Sequence, residues 1–242
     1  RIEALGATVS LLREAAEPVT HKRPADFLAQ ATTWAEQTPL AEEHPDEKAR
    51  RIQRHANRLF YRSAEIYARS LIVAQLQPDL VVALHINGTG WEFDAEGNKQ
   101  LREQNHLHVL VNGAYLPDEV ANDIQRRDML WRMLSIDSVA EMHMASAFAR
   151  SFARHSQLPP FVYSGSNAVR INENPYLYAR NLLANRIYAA PVVFLEPYVA
   201  NSKETYPRLV DALQNPDTSE FIAEYINATI DALLASHQYL RN

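Results

Sequence analysis

The spacing of apolar positions changes several times along the chain, and each change predicts an element. "IEALGATVSLLRE" (2–14) stops a helical spacing at Gly6 and becomes a β-branched apolar run. That pattern predicts a helix end, a glycine stop and a short strand over 7–12. From Pro24 to Pro45, scattered apolar residues with acidic punctuation predict short surface helices. Segment 45–77 opens on Pro–Asp–Glu and places Ile52, Leu59, Ile66 and Val73 at helical spacing, as one long helix or two abutting ones. Pro78 and Asp79 break it, and the continuous apolar run 80–84 suits a central strand covered on both faces.

"GTGWEFDAEGNKQ" reads as a loop or small hairpin, and "NHLHVLVNGAYLP" (105–117) as a further strand. A helical region over 118–157 points Trp131, Leu134, Ile136, Val139, Met142 and Phe148 inward. "LPPFVYSGSNAVRINENP" is rich in turn residues and irregular. A helix over 176–186, a strand over 191–195 and an amphipathic helix over 219–240 complete the chain. Strands alternating with helices predict an α/β fold, a mostly parallel central sheet flanked by helices on both faces. No internal repeat or low-complexity tract interrupts it.

Composition narrows the function classes. Of 242 residues, 47% are hydrophobic and 22% charged, an ordinary globular balance. A net charge of −5 gives no overall basic field for nucleic acid. Without cysteine there is no disulfide, thiolate metal site or cysteine nucleophile. No apolar run approaches the ~20 residues that span a bilayer. The chain opens on Arg1, within an expected helix end, and reads as a mature form, a cut product or an excised domain.

Chemistry concentrates at two strand ends. "AAPVVFLEPYVANSKE" (189–204) carries Glu196 at the end of an apolar run, where a lone carboxylate costs several kcal/mol unless paired, hydrogen-bonded or metal-bound. His85 ends the run "DLVVALH" in the same way. Ligands of open α/β sheets bind outside the carboxyl ends of the strands, so both side chains reach one edge. Plainer roles exist: a strand-end histidine held by structural hydrogen bonds, a carboxylate capping the next helix or pairing with Arg186. His106 and His108, two apart on a strand, share a face and a spacing that can chelate metal, though an unliganded structural pair fits as well. "YSGSN" (163–167) lacks the spacing of a nucleophile elbow. Neither H-E-x-x-H nor a phosphate-cradling glycine loop occurs among the six glycines. "EMHMASAFARSFARH" (141–155) reads as core packing, and "KARRIQR" (48–54) as the solvated face of a helix.

Three segments in order carry a resemblance: "ALGATVSLLRE" (4–14), "RSLIVAQLQPDLVVALHING" (69–88) and "ANRIYAAPVVFLEPYVANSKE" (184–204). Together they resemble the zinc-dependent N-acetylmuramoyl-L-alanine amidases, whose pattern is G-x-x-V-x-x-T-R, then an arginine helix ending in "ADLFVSIHAN", then "VLR…PAVLVEIGFLSN..E". Arg13, Arg69, Arg186, Asn201 and Glu204 fall in step with it. The resemblance implies hydrolysis of the amide between N-acetylmuramic acid and L-alanine of peptidoglycan. It implies His85 as a zinc ligand and Glu196 as the general base of a zinc-activated water. It also implies a periplasmic or secreted protein whose partner is peptidoglycan or a muropeptide, with no nucleic acid and no transmembrane segment.

The family draws two further ligands from a His-Gly-Gly strand end and a helical Glu, without counterpart here. The expectation is therefore a single amidase-like domain over 1–242, N-terminally incomplete, with an insertion at about 89–175. Alternatively His106 and His108 complete the site, or the site is inactive. Pro197 and Tyr198 replace the family's Gly–Phe after the base. The rival readings are a non-catalytic cell-wall-binding or regulatory relative, and a zinc peptidase of free peptides.

Overall fold

The computed structural model describes residues 2–41, 43–136 and 138–240. Arg1, where a helix end was expected, lies outside them. The chain divides into two compact units, Arg1–Gln77 with Ile187–Ala189, and Pro78–Arg186 with Ala190–Asn242.

In the first unit a 3-10 turn, Glu3–Leu5, closes on Gly6, whose φ of 90° is the left-handed stop that glycine adopts freely. The strand expected over 7–12 does not form. Val9 and Leu11 are exposed, and no strand precedes Val81 among the described residues. A β-branched run becomes a strand only against a partner edge, and this one has none. Arg13 turns instead to the carbonyls of Ala15 and Ala16. Helix α1 (Leu28–Gln37) packs on α2 (Pro45–Leu59), where Trp34 stacks on His55 at 3.9 Å between ring centres. A π turn, Phe60–Ala64, joins α2 to α3 (Glu65–Leu76), so the predicted long helix runs unbroken to Leu76, and Gln77 caps it in a left-handed conformation. Arg69 pairs with Glu65 on its own helix, at 2.8 Å.

The second unit is built on a sheet. Its elements in order are β1 (Val81–Leu84), the hairpin β2 (Glu92–Phe93) and β3 (Lys99–Gln100), and β4 (Leu107–Val111). Helices α4 (Pro117–Ala121), α5 (Asp123–Ser135) and α6 (Ser138–Ser156) follow, then β5 (Val169–Arg170), β6 (Leu177–Ala179), α7 (Leu183–Ile187), β7 (Val192–Pro197), α8 (Thr205–Gln214) and α9 (Glu220–Leu240). The architecture is α/β, a central five-stranded sheet in the order β1-β7-β4-β6-β5 flanked by helices. The parallel pairs are β1–β7 and β4–β6, and β4 runs antiparallel to β7.

Three local expectations change. The run 80–84 yields an edge strand that pairs with β7 alone, and it opens from Val81 at 7% exposure to Leu84 at 61%. Residues 176–186 divide into β6 and the short α7, because Leu177 and Tyr178 pair with β4. Trp131, Leu134 and Val139 are exposed while Phe148 is fully buried. The predicted helical region breaks between α5 and α6, so one helical phase cannot serve both.

The core lies on one face of the sheet. Leu107, Val109, Val111, Leu177, Val193 and Leu195 pack on Met144, Phe148 and Phe152 of α6 and on Phe221 of α9. Small residues, Ala145, Ala149, Ala228 and Ala232, let the two helices approach, and the Ser151 hydroxyl donates to the Ala228 carbonyl at 2.8 Å. The alternation of β4 and β7 sends His108, Leu110, Phe194 and Glu196 to the opposite face. Among the described residues no helix is long and apolar enough to cross a membrane.

Candidate active site

Register brings the predicted residues together. In the parallel β1–β7 pair Leu84 lies opposite Leu195, so His85, one residue on, comes level with Glu196. The antiparallel β4 pairs His108 with the same Glu196. One row therefore crosses three strands as His85, Glu196, His108. His85 Nδ1 is 3.9 Å from Glu196 Oε1, and His108 Nε2 is 2.5 Å from Glu196 Oε2. Glu196 lies within β7 rather than at its end, because the strand continues to Pro197. It pairs with these imidazoles and not with Arg186, which binds Asp128, Gln125 and Asn181.

The environment is dry on one side and open on the other. The His108 side chain is 0% exposed, that of Glu196 14% and that of His85 47%. Segment 159–163, irregular in pattern, runs along the start of β4: Leu107 N–H donates to the Pro159 carbonyl, and Phe161 N–H to the Leu107 carbonyl. It carries Phe161 against both His106 and His108, with ring centres 4.5 and 5.0 Å away, and sets Tyr163 edge-on to His108 at 5.4 Å. Arg180 donates to the Tyr163 hydroxyl at 3.3 Å. Both ring nitrogens of His108 lack a hydrogen-bond partner among the described residues. Its approach to Glu196 is thus a close polar contact not aligned as a hydrogen bond.

Protonation follows from this packing. Burial pushes the Glu196 carboxyl up, but the His108 contact and the charges of His108, His85 and Arg180 outweigh it and hold the group below the usual carboxylate range. Glu196 is therefore ionised at neutral pH. His106 is pushed down to about 4, by burial first and by His108 next, against the pull of Glu196. It is a neutral imidazole, and its Nε2 lies 3.2 Å from the Asn87 amide nitrogen.

The backbone beyond the base is fixed. Tyr198 adopts a φ of 63°, a left-handed conformation costly for an aromatic residue. Full burial of its ring and a 2.5 Å hydrogen bond from its hydroxyl to Glu224 compensate. Asn201 accepts from the Thr89 N–H and donates to the Thr89 carbonyl, and Asn105 accepts from Val199 N–H and donates to Glu204. The motif residues Asn201 and Glu204 thus tie loops together around the site.

A catalytic zinc needs three protein donors and a water. Among the described residues no group of three His, Asp or Glu side chains is arranged to hold a metal ion. Glu196 is closed on His108, and His106 is turned to Asn87, so neither completes a set with His85. The residues present do not by themselves fit a catalytic zinc.

No protein-family model matches the chain, and no curated protein is similar to it. Solved structures similar to it at low identity include two amidases. The apo N-acetylmuramyl-L-alanine amidase of Mycobacterium abscessus has 18% identity and a TM-score of 0.45, over 72% of this chain and 62% of that one. The N-acetylmuramyl-L-alanine amidase of Mycobacterium smegmatis has 16% identity and a TM-score of 0.44, over 73% and 61%. The chain spans little more than three fifths of the length of either.

Proposed function

We propose that the second unit carries a hydrolytic centre for the amide between N-acetylmuramic acid and the L-alanine of peptidoglycan. Glu196 is its general base. The observation that carries this is the cross-strand row, in which one ionised, mostly buried carboxylate is held between two imidazoles at a sheet edge. The ordered sequence resemblance to the amidases supplies the substrate class. Such a substrate supports a periplasmic or secreted protein.

The chain's own residues account for the proton. His108 fixes Oε2, and His85 stands too far from Oε1 to bond it directly. Oε1 is left to accept a proton from water as the water oxygen attacks the amide carbonyl. The carbon–nitrogen bond then breaks, the proton passes to the leaving amine, and a carboxylate and free L-alanine amine result. Phe161 and Tyr163 keep the inner side of the carboxylate dry.

The test is incubation of the full chain with purified muropeptide, scoring new amino termini. Release by the natural chain and its loss in Glu196→Gln support the reading. Cleavage that survives Glu196→Gln sinks it, and wall binding without release favours the non-catalytic relative. A free peptide of the same stem sequence separates a peptidase from an amidase. Elemental analysis of the same preparation settles zinc: one ion per chain would return His85 to the ligand role.

A further inference from the structure

Arg180 follows β6 directly, on the face of the sheet that carries Glu196. Tyr178 pairs with Leu110 and shares its face, and strand alternation puts Arg180, two residues on, on the same side. Its N–H donates to the Val111 carbonyl at 2.9 Å and prolongs the β4–β6 ladder. From there the guanidinium reaches Tyr163: Nη1 donates to the hydroxyl at 3.3 Å, and the group lies 5.6 Å from the ring centre. Tyr163 in turn stands edge-on to His108, so one aromatic ring separates this cation from the Glu196 row.

Arg180 is partly buried, and its partners differ from those of the other arginines drawn into this unit. Arg132 closes on Glu141, and Arg186 on Asp128. Among the described residues Arg180 closes on no carboxylate and donates from its side chain to Tyr163 alone. Glu196 feels its charge, but that carboxylate is closed on His108. Burial and the charge of Glu196 push the Tyr163 hydroxyl up, so it stays a neutral phenol and does not balance the cation. A guanidinium carries five N–H donors, of which Tyr163 takes one. A cation drawn partly out of water needs an anion to offset its lost hydration.

We infer that Arg180 anchors a free carboxylate of the substrate, the α-carboxylate of the stem residue that follows L-alanine. This rests on the hydrolytic reading, which puts the scissile amide at Glu196 Oε1. An extended residue spans about 3.5 Å, so that carboxylate lies roughly 6 Å from the scissile nitrogen. The step is comparable to the tyrosine ring that separates Arg180 from the row. The guanidinium fork matches two carboxylate oxygens. One cation balances one negative charge, and the ionised Glu196 nearby repels a doubly charged anion such as a phosphate. Arg180 is thereby a specificity-determining residue, selecting an acid over the carboxamide of the same shape.

The probes are N-acetylmuramoyl-L-alanyl-D-alanine and its C-terminal carboxamide, which differ only in that charge. Each is titrated calorimetrically into the full chain carrying Glu196→Gln, which holds the probe uncleaved. The acid should bind roughly tenfold more tightly than the amide. Adding Arg180→Gln should bring the acid down to the level of the amide. The affinity for the amide should stay in place, which also shows that the variant is folded. Arg180→Lys keeps the charge without the fork and should retain part of the preference. The inference is overturned if the two probes bind alike, if neither binds, or if Arg180→Gln weakens both equally, as lost packing on Tyr163 would do. An Arg180-dependent preference in a natural chain that releases no amine keeps the anchor and sinks the hydrolytic reading. Cleavage of both probes by the natural chain with equal KM keeps that reading and sinks the anchor.

Discussion

The β4–β7 strand pair buries a glutamate at each end, and the two ends are built differently. At one end Glu141 of α6 accepts from Asn112 N–H at 3.2 Å and Val192 N–H at 2.9 Å, and it pairs with Arg132. Arg132 also donates to the Ala190 carbonyl at 2.7 Å. Burial outweighs the guanidinium and two amides and holds the Glu141 carboxyl above the usual carboxylate range. Every partner is a permanent donor, so this carboxylate fastens the strand pair and presents no free oxygen. At the other end Glu196 meets two imidazoles and, among the described residues, no backbone N–H. A buried carboxylate closed on both oxygens by fixed donors is structural, whereas one with an oxygen left open keeps an accepting face.

Substitution at each end separates the two roles. Glu196→Gln should cost ~10³-fold in muropeptide cleavage, about 4 kcal/mol of barrier, with the unfolding midpoint nearly unmoved. Arg132→Met should do the reverse. It leaves Glu141 buried without its cation and should lower unfolding stability by about 3 kcal/mol, read by denaturant titration. If Glu196→Gln destabilises the fold as much as Arg132→Met does, both ends are structural and the contrast fails.

His108 sharpens the same contrast. Its Nε2 lies against Glu196 Oε2, so His108→Phe fills the space beside Phe161 and Tyr163 but leaves the buried carboxylate without that contact. Thermal stability should fall, by less than in Arg132→Met. Cleavage should fall ~30-fold in kcat, about 2 kcal/mol, with KM unchanged, because the base loses its fixed orientation and not the substrate its contacts. A fall in stability as large as that of Arg132→Met with kcat unchanged would make His108 a structural residue.

Much of this was legible in the sequence, and the failures share a cause. His85 and Glu196 stood out because short apolar runs announce strands, and a polar residue closing such a run must answer for its burial. Their meeting needed only that the two strands pair in parallel. The part of His108 was hidden: its spacing with His106 showed a shared face, but its contact with Glu196 comes from β4 running opposite to β7. Strand direction is fixed by chain topology and leaves no period in the sequence. The strand expected over 7–12 failed for a related reason, since a β-branched run cannot show whether a partner edge is present. Tyr163 and Arg180 were missed because the segments that carry them have no period to read. Arg13 and Arg69 matched the family pattern, yet the structure turns each to a local partner.

The finest test of the rule lies in the first unit, where Glu65 is a third buried carboxylate. It accepts from Val19 N–H at 3.1 Å and Thr20 N–H at 3.0 Å and pairs with Arg69, so its partners are of the permanent kind found around Glu141. Burial pushes its carboxyl up, but those two amides and the guanidinium outweigh it and hold the group below the usual carboxylate range. A carboxyl whose folded pKa is depressed contributes stability above its unfolded pKa and loses it as pH falls through the folded value. Unfolding free energy followed from neutral to acid pH should therefore decline on the acid side, and Glu65→Gln should remove part of that slope while costing roughly 1 kcal/mol at neutral pH. Cleavage at neutral pH should not change, because Glu65 contributes nothing to the row around Glu196. An acid limb equally steep in the variant would mean that the loop residues Val19 and Thr20 are held by something other than this charge.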